Sequence, residues 1–334
     1  MMKNVLFKFD VDSGKNAGTG HFMRCLIIYN LLKKKYKNKF KYYFLFNNYH
    51  NSKNIVEKHI NKKNLIIYKK NSFSKISFIQ SDDLIFNDTP KKIDKLFLHY
   101  CKMNKLKNLV LIDHDKIIYP YKYLLINGIF YLKKKIKNAS NIYQGFKYIL
   151  LDKKYSSIEK KESNLLKILI TTGGTDNKNI IYKIYKCISH IVDIKIYIII
   201  GSGFKKNNPI FKIKNKNLYL IKNKKNLKPY FEKTNVSITA GGISMFESIC
   251  SRNITLVTQL YKNQKNSIKV LKKLNMINLI GKDNQIHTGK LKKLITDLKK
   301  AKKIKYPKNF NLIDGKSMYR IEKILFKAID KNIY

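Results

Sequence analysis

The feature that most constrains this chain is an alternation. Short apolar runs rich in Ile, Val, Phe and Tyr are followed by longer lysine-studded segments of helical spacing, the pattern of βα units feeding a parallel sheet. In the first half the expected strands are Val5 to Phe9, Tyr42 to Phe46, Leu65 to Tyr68, Leu84 to Phe86 and Leu109 to Ile112. In the second they are Leu166 to Thr171, Ile194 to Ile200, Leu218 to Ile221, Val236 to Thr239 and Ile254 to Thr258. Most are apolar without alternation, as strands buried on both faces are. A polar stretch without periodicity, 152–163, separates the halves. The sequence therefore predicts two α/β domains in 334 residues. Their expected ranges are 1–151 and 164–334 with a linker at 152–163 and, as an option, a last helix that packs back on the N-terminal domain.

Composition bears on partners. The formal net charge is +49, which first suggests nucleic acid. Yet Arg24, Arg252 and Arg320 are the only arginines among 70 basic residues, and the lysines are spread along the whole chain. Nucleic-acid readers recruit Arg for its fork geometry and gather charge on one face. The charge is read as compositional bias, with no specific nucleic-acid partner expected; a lysine-rich nucleic-acid-binding protein stays as a competing class. Cys25, Cys101, Cys187 and Cys250 form no CxxC pair and no metal spacing with His. No disulfide framework, metal site or cofactor is expected, and a reducing cytoplasm fits. The longest apolar runs fall short of the roughly 18 residues of a membrane span, and the N-terminus opens on a strand, not a signal peptide.

Three strands run into glycine turns. The first is Asp10-Val11-Asp12-Ser13-Gly14-Lys15-Asn16-Ala17-Gly18-Thr19-Gly20-His21, opening a helix. It lacks the third glycine of a dinucleotide fingerprint, because position 23 is Met23, and no GxxxxGK[ST] loop occurs. Read alone, it is equally a tight structural turn or an anion site. An imidazole at the helix start stands at the carboxyl edge of the sheet, where open α/β sheets bind ligands, and can take a proton. The second turn is Thr171-Thr172-Gly173-Gly174-Thr175-Asp176, and the third Ala240-Gly241-Gly242-Ile243-Ser244-Met245-Phe246-Glu247. At the third, backbone N–H groups suit a pyrophosphate and Glu247 suits ribose hydroxyls; the plain alternative for Glu247 is a solvated helix residue. Asp10-Val11-Asp12 also spells DxD, a carboxylate pair of a kind that can hold a divalent metal.

GTGHFMRC, ILITTGGTD, AGGISMFESI, Asn263-Gln264 and the closing Asp314-Gly315-Lys316-Ser317-Met318-Tyr319-Arg320-Ile321 occur in this order along the chain. Together they resemble the family of the UDP-2,4-diacetamido-2,4,6-trideoxy-β-L-altropyranose hydrolase of pseudaminic acid biosynthesis and its spore-coat polysaccharide relatives. That family is similar in turn to the peptidoglycan UDP-N-acetylglucosamine transferase. The resemblance implies a GT-B fold, two Rossmann-like doubly wound domains with the nucleotide-sugar in the cleft between them. It also implies His21 as the base that activates water, with Asp12, Gly18, Thr19 and Gly20 around it. Gly173 and Gly174 then face the cleft, Gly241, Gly242, Ser244 and Glu247 hold UDP, and Asn263 and Gln264 lie near the sugar. The implied activity is hydrolysis of a UDP-activated amino or deoxy sugar. The alternatives are glycosyl transfer from a UDP-sugar and a degenerate binding protein without catalysis. Two departures stand out. Asp10 replaces an Arg of many family members, which is expected to reverse the charge beside the histidine, and Asn87-Asp88-Thr89 stands where the hydrolases carry Asp-x-Tyr.

Overall fold

The structure is a computed structural model. It describes residues 2–12, 19–49, 52–68, 73–89, 95–113, 123–128, 139–158, 160, 165–176, 178–201, 203–222, 224, 226–283, 285–301 and 312–330. The chain divides into two compact units, Met1–Asp152 with Lys316–Tyr334, and Lys153–Gly315.

The first unit contains β1 (Lys3–Asp12), α1 (Gly20–Tyr36), β2 (Phe40–Tyr49), α2 (Ser52–Glu57), β3 (Leu65–Ile67), β4 (Leu84–Asp88), α3 (Lys95–Met103), β5 (Asn108–Ile112), β6 (Tyr123–Asn127) and β7 (Ala139–Gln144). Its sheet runs β3-β2-β1-β4-β5-β6-β7, with every pairing parallel. The order reverses between β1 and β4, so their carboxyl ends flank the crevice where a doubly wound sheet takes its ligand.

Side-chain alternation explains what holds β1 in the centre. Val5, Phe7 and Phe9 enter one core, while Leu6 enters the other. The register aligns Phe44, Phe7 and Phe86 in one row and Phe46, Phe9 and Asp88 in the next. In the first row the Phe7 ring stacks 5.1 Å from Phe44 and 5.0 Å from Phe86. In the second, Phe9 stacks on Phe46 at 5.5 Å, and the third place is a carboxylate at the sheet edge. Offset aromatic stacks of this kind add about 0.5–1.5 kcal/mol each beyond the area they bury. Phe22, one residue past His21, lies 5.3 Å from Phe9 and 5.6 Å from His59, which seats the first turn of α1 on the sheet.

The second unit contains β8 (Leu166–Thr171), α4 (Ile180–Ile188), β9 (Ile194–Ile200), β10 (Leu218–Lys222), α5 (Lys228–Lys233), β11 (Val236–Ala240), α6 (Ile243–Cys250), β12 (Ile254–Gln259), α7 (Lys265–Lys273), β13 (Asn278–Lys282), β14 (Gln285–Ile286) and α8 (Thr288–Lys300). Its sheet runs β10-β9-β8-β11-β12-β13-β14, parallel except for the last pair, and reverses between β8 and β11. β11 and β12 are buried along their whole length.

α9 (Ser317–Asp330) returns to the first unit. Met318, Ile321 and Leu325, one stripe at helical spacing, are buried in the core shared with α1, and the Tyr36 hydroxyl donates to Asp330 Oδ1 at 2.8 Å.

Part of the stretch read as a linker is packed into the second unit. Lys153–Ser157 is a short 3₁₀ helix, Tyr155 and Ile158 are buried, and the Lys160 amine donates to the carbonyls of Phe231 and Thr234 and to Asn253 Oδ1. A lysine has three N–H donors and here meets three oxygens. Burial brings its pKa from 10.5 to about 7, with a smaller opposing pull from Glu232. The unfolded chain then binds the extra proton between these two values, so this group makes stability rise as the pH climbs through that window. Chemical denaturation of wild type and Lys160→Met at pH 7 and pH 9 is expected to show a steeper gain for wild type; equal gains would remove Lys160 as its source.

Candidate functional site

His21 is the second residue of α1, whose N-cap Thr19 makes no side-chain cap and whose first turn has no acidic residue. Its Nδ1 lies 2.6 Å from Asp88 Oδ1, at the end of β4. Asp88 is fully buried, and the His21 side chain keeps 13% of its surface exposed. Arg24, one turn further along α1, grips the same carboxylate with both prongs. Nε donates to Oδ2 at 2.7 Å and Nη2 to Oδ1 at 2.6 Å, while Nη1 stands 3.5 Å from Asp113 Oδ2.

These contacts decide the histidine's tautomer. Burial by itself pushes the Asp88 carboxyl up, but Arg24 and His21 outweigh it and bring the pKa down to about 2. An ionised carboxylate has no proton to give, so a 2.6 Å N···O contact requires the hydrogen on His21 Nδ1. Arg24 Nη2 lies 2.8 Å from that nitrogen because both donate to one oxygen. In the neutral imidazole this arrangement puts the lone pair on Nε2, the form a general base needs. Burial opposes the Arg24 charge, yet Asp88 and Asp113 raise its pKa, so the guanidinium stays protonated.

Asp10 corrects an expectation. It follows Leu6 and Lys8 in alternation and belongs to the sheet face opposite Phe9 and Asp88, so among the described residues the charged groups in contact with His21 are Asp88 and Arg24. Gly18 lies outside the described residues, and of Asp12 only the strand backbone is described. Among the described residues, no group of three or more His, Cys, Asp or Glu is arranged to hold a metal ion.

The two glycine turns of the second unit differ in one respect. At the first, Asp176 fills the start of α4: its carboxylate accepts from the N–H groups of Ile180 at 2.8 Å and Ile181 at 3.2 Å, and from Asn208 Nδ2 at 3.2 Å. That helix already has its anion. Gly173, at φ +87°, turns the chain here, and the Gly174 carbonyl accepts from the N–H of Gly203 at 2.9 Å. A Cβ at Gly201 would lie 2.4 Å from the Gly174 oxygen, so this turn packs backbone on backbone.

At the second turn the start of α6 is open. Gly242 caps it without a side chain, and no acidic residue lies in the first turn. Gln264 is oriented there by its own carbonyl, which accepts from the N–H groups of Leu260 at 2.9 Å and Tyr261 at 3.2 Å. Its amide nitrogen is then 4.0 Å from where a Cβ on Gly242 would stand. Ser244 and Glu247 are half-buried on α6, and Asn263 is exposed. Gly241 is buried against Ile268 and Gln264. The structure thus brings Gly241, Gly242 and Gln264 together around one helix start, and gives Gly173 and Gly174 a packing role in their own turn.

Further residues stand around the histidine. Arg24 and Asp88, which the sequence offered only as members of GTGHFMRC and of Asn87-Asp88-Thr89 and without a role, complete its surroundings. Thr239 and Thr258, at the carboxyl ends of β11 and β12, carry buried hydroxyls without a hydrogen-bond partner. Nothing in the sequence distinguishes them from ordinary strand threonines.

With this geometry described, comparison with known proteins adds three findings. No family model matches the chain. The spore coat polysaccharide biosynthesis protein SpsG of Bacillus subtilis is 25% identical over 160 residues, which covers 45% of this chain and 47% of that protein, so the match spans about half the length of this relative. Among solved structures, MurG of Acinetobacter baumannii superposes with a TM-score of 0.62 at 10% identity over 98% of this chain and 99% of that one. UGT89C1 of Arabidopsis thaliana gives 0.60 at 10% identity over 100% and 99%. The chain has the GT-B fold. The calicheamicin glycosyltransferase CalG4 shares it, with a TM-score of 0.58 at 8% identity over 99% of both chains. Among the described residues, no helix is long and apolar enough to cross a membrane.

The buried fork gives a stability prediction. Asp88→Asn leaves the 5%-exposed Arg24 guanidinium without its main counter-charge, which is expected to cost about 3–5 kcal/mol. Because the folded pKa lies below the ordinary 3.8, the carboxylate's contribution is complete above that pH and is lost as the pH falls toward 2. Urea unfolding at pH 7 reads the loss, and a variant as stable as wild type would contradict the fork's role.

Proposed function

We propose that the chain is an enzyme that cleaves a UDP-activated amino or deoxy sugar at its anomeric carbon. His21 takes the proton of the attacking hydroxyl on Nε2, the new C–O bond forms, the bond to the β-phosphate breaks and UDP departs. The open N-terminus of α6 stabilises the negative charge on the leaving diphosphate through free N–H groups and the helix dipole. Glu247 serves the ribose, Asn263 and Gln264 the sugar, and Ser244 the phosphates.

The observation that carries this reading is the 2.6 Å contact of His21 Nδ1 with Asp88, which engages one ring nitrogen and leaves Nε2 for substrate at the half-open start of α1. The structural neighbours, among them the calicheamicin glycosyltransferase CalG4 and UGT89C1 in complex with UDP-L-rhamnose, favour a sugar hydroxyl as attacker, hence glycosyl transfer. The match to SpsG favours surface polysaccharide as the product class. Hydrolysis, with water as attacker and the same base, is the second reading; the five ordered motifs shared with the pseudaminic acid hydrolases favour it.

Free UDP is expected to raise the melting temperature by mass action. His21→Asn keeps a donor toward Asp88, so it should retain UDP affinity and lose about 10²- to 10⁴-fold in turnover. Gly242→Ala should fold as wild type, because among the described residues beyond its chain neighbours only Gln264 Nε2 comes within 4.0 Å of the added methyl, yet weaken UDP. Release of UDP with and without oligosaccharide acceptor separates the two readings, and unchanged melting at millimolar UDP would defeat both.

A further inference from the structure

The first unit carries a second group of polar side chains at its carboxyl edge, on the face that the His21 cluster does not use. Along β1, Leu6 enters the core under α3, and the Lys8 ammonium stands on that same face, 5.1 Å from the Phe97 ring and 5.5 Å from Tyr68. Asp10 is next in alternation. The parallel register sets Asn87 beside Lys8 and Asn47 beside Asp10, and Thr89 continues the face of Asn87 just past β4. An interior strand position on this face holds Leu45 or Ile85 elsewhere, so polar residues here are a departure from the pattern of the core.

Two of their atoms have nothing to bond. Asp10 Oδ1 and Thr89 Oγ1 are shut off from solvent and have no hydrogen-bond partner. Asp10 as a whole is half-exposed at the sheet edge, while Thr89 is 5% exposed. Buried polar atoms are rarely left this way, because each keeps its full desolvation cost, and an apolar side chain of the same shape would remove it. Orphans at the mouth of a binding edge persist where a ligand completes them.

Building on the nucleotide-sugar reading above, we infer that Asp10 and Thr89 form a subsite for the sugar ring's neutral hydrogen-bonding substituents. A carboxylate oxygen only accepts, so Asp10 demands an O–H or N–H from the ligand; the Thr89 hydroxyl either gives or accepts. Hydroxyl and acylamino groups meet both demands. A sugar carboxylate meets neither at Asp10 and is repelled by it, so the subsite selects against uronic acids. Because β1 and β4 flank the reversal of strand order, a sugar laid over their ends has the base on one side and this pair on the other.

The test compares UDP, UDP-N-acetylglucosamine and UDP-glucuronic acid by calorimetry on the full chain. Thr89→Val is expected to melt higher than wild type, since it removes an orphaned hydroxyl at constant shape. It should also bind UDP-N-acetylglucosamine about 3- to 10-fold more weakly with UDP affinity unchanged, one hydrogen bond's worth, and Thr89→Ser should restore binding. Asp10→Asn should shrink the preference for UDP-N-acetylglucosamine over UDP-glucuronic acid by about tenfold, the scale of one removed repulsion between half-solvated charges. If wild type binds UDP but both variants keep the wild-type ratios, the subsite is overturned and the nucleotide reading stands. If the variants lose UDP affinity and melting temperature together, the pair is structural and the inference is equally overturned. A wild type that binds no UDP at all defeats the nucleotide reading itself, and the subsite with it.

Discussion

The Arg24–Asp88 fork ties a helix to the neighbouring strand inside the first unit, and the His21 geometry depends on it. A buried guanidinium is tolerable only when its charge is met at close range with its N–H groups satisfied, and Asp88 does both through two bonds of 2.6 and 2.7 Å. The same oxygen then dictates which imidazole nitrogen holds the proton. Stability and chemistry are thus coupled through one carboxylate. The aromatic rows of β2, β1 and β4 supply the rigid floor beneath it, and Phe22 on Phe9 prevents the helix start from turning its histidine away.

Much of the fold was legible because parallel strands buried on both faces are dense in apolar residues, as β4, β5 and β12 are, and because the margin strands β3 and β10 carry short Ile- and Leu-rich runs. Three strands toward the opposite margins left no such trace. β7 reads Ala-Ser-Asn-Ile-Tyr-Gln and β14 has two residues, so neither has a pattern to detect, and β13 contains Gly281, which weakens a strand signal.

The candidate site was legible where its residues are contiguous and opaque where its geometry depends on pairing. His21 and the glycine turns could be named from local pattern. The partnership of Arg24 with Asp88 spans 64 positions and emerges only when the register of β1 against β4 is known. The two turns of the second unit look alike in sequence, both small residues between strand and helix. They differ because Asp176 sits where its carboxylate reaches back to the start of α4, while α6 has no residue able to do so. Asp10 teaches the converse lesson, since nearness in sequence to His21 put it on the other side of the sheet.

The return of α9 to the first unit has a consequence for how the chain comes into being. The second unit is a single uninterrupted stretch, whereas the first closes only with residues from the very end. During synthesis, then, the order of completion inverts the order of translation. The half made first waits with part of the apolar core beside α1 uncovered, while the half made later already has all of its own segments.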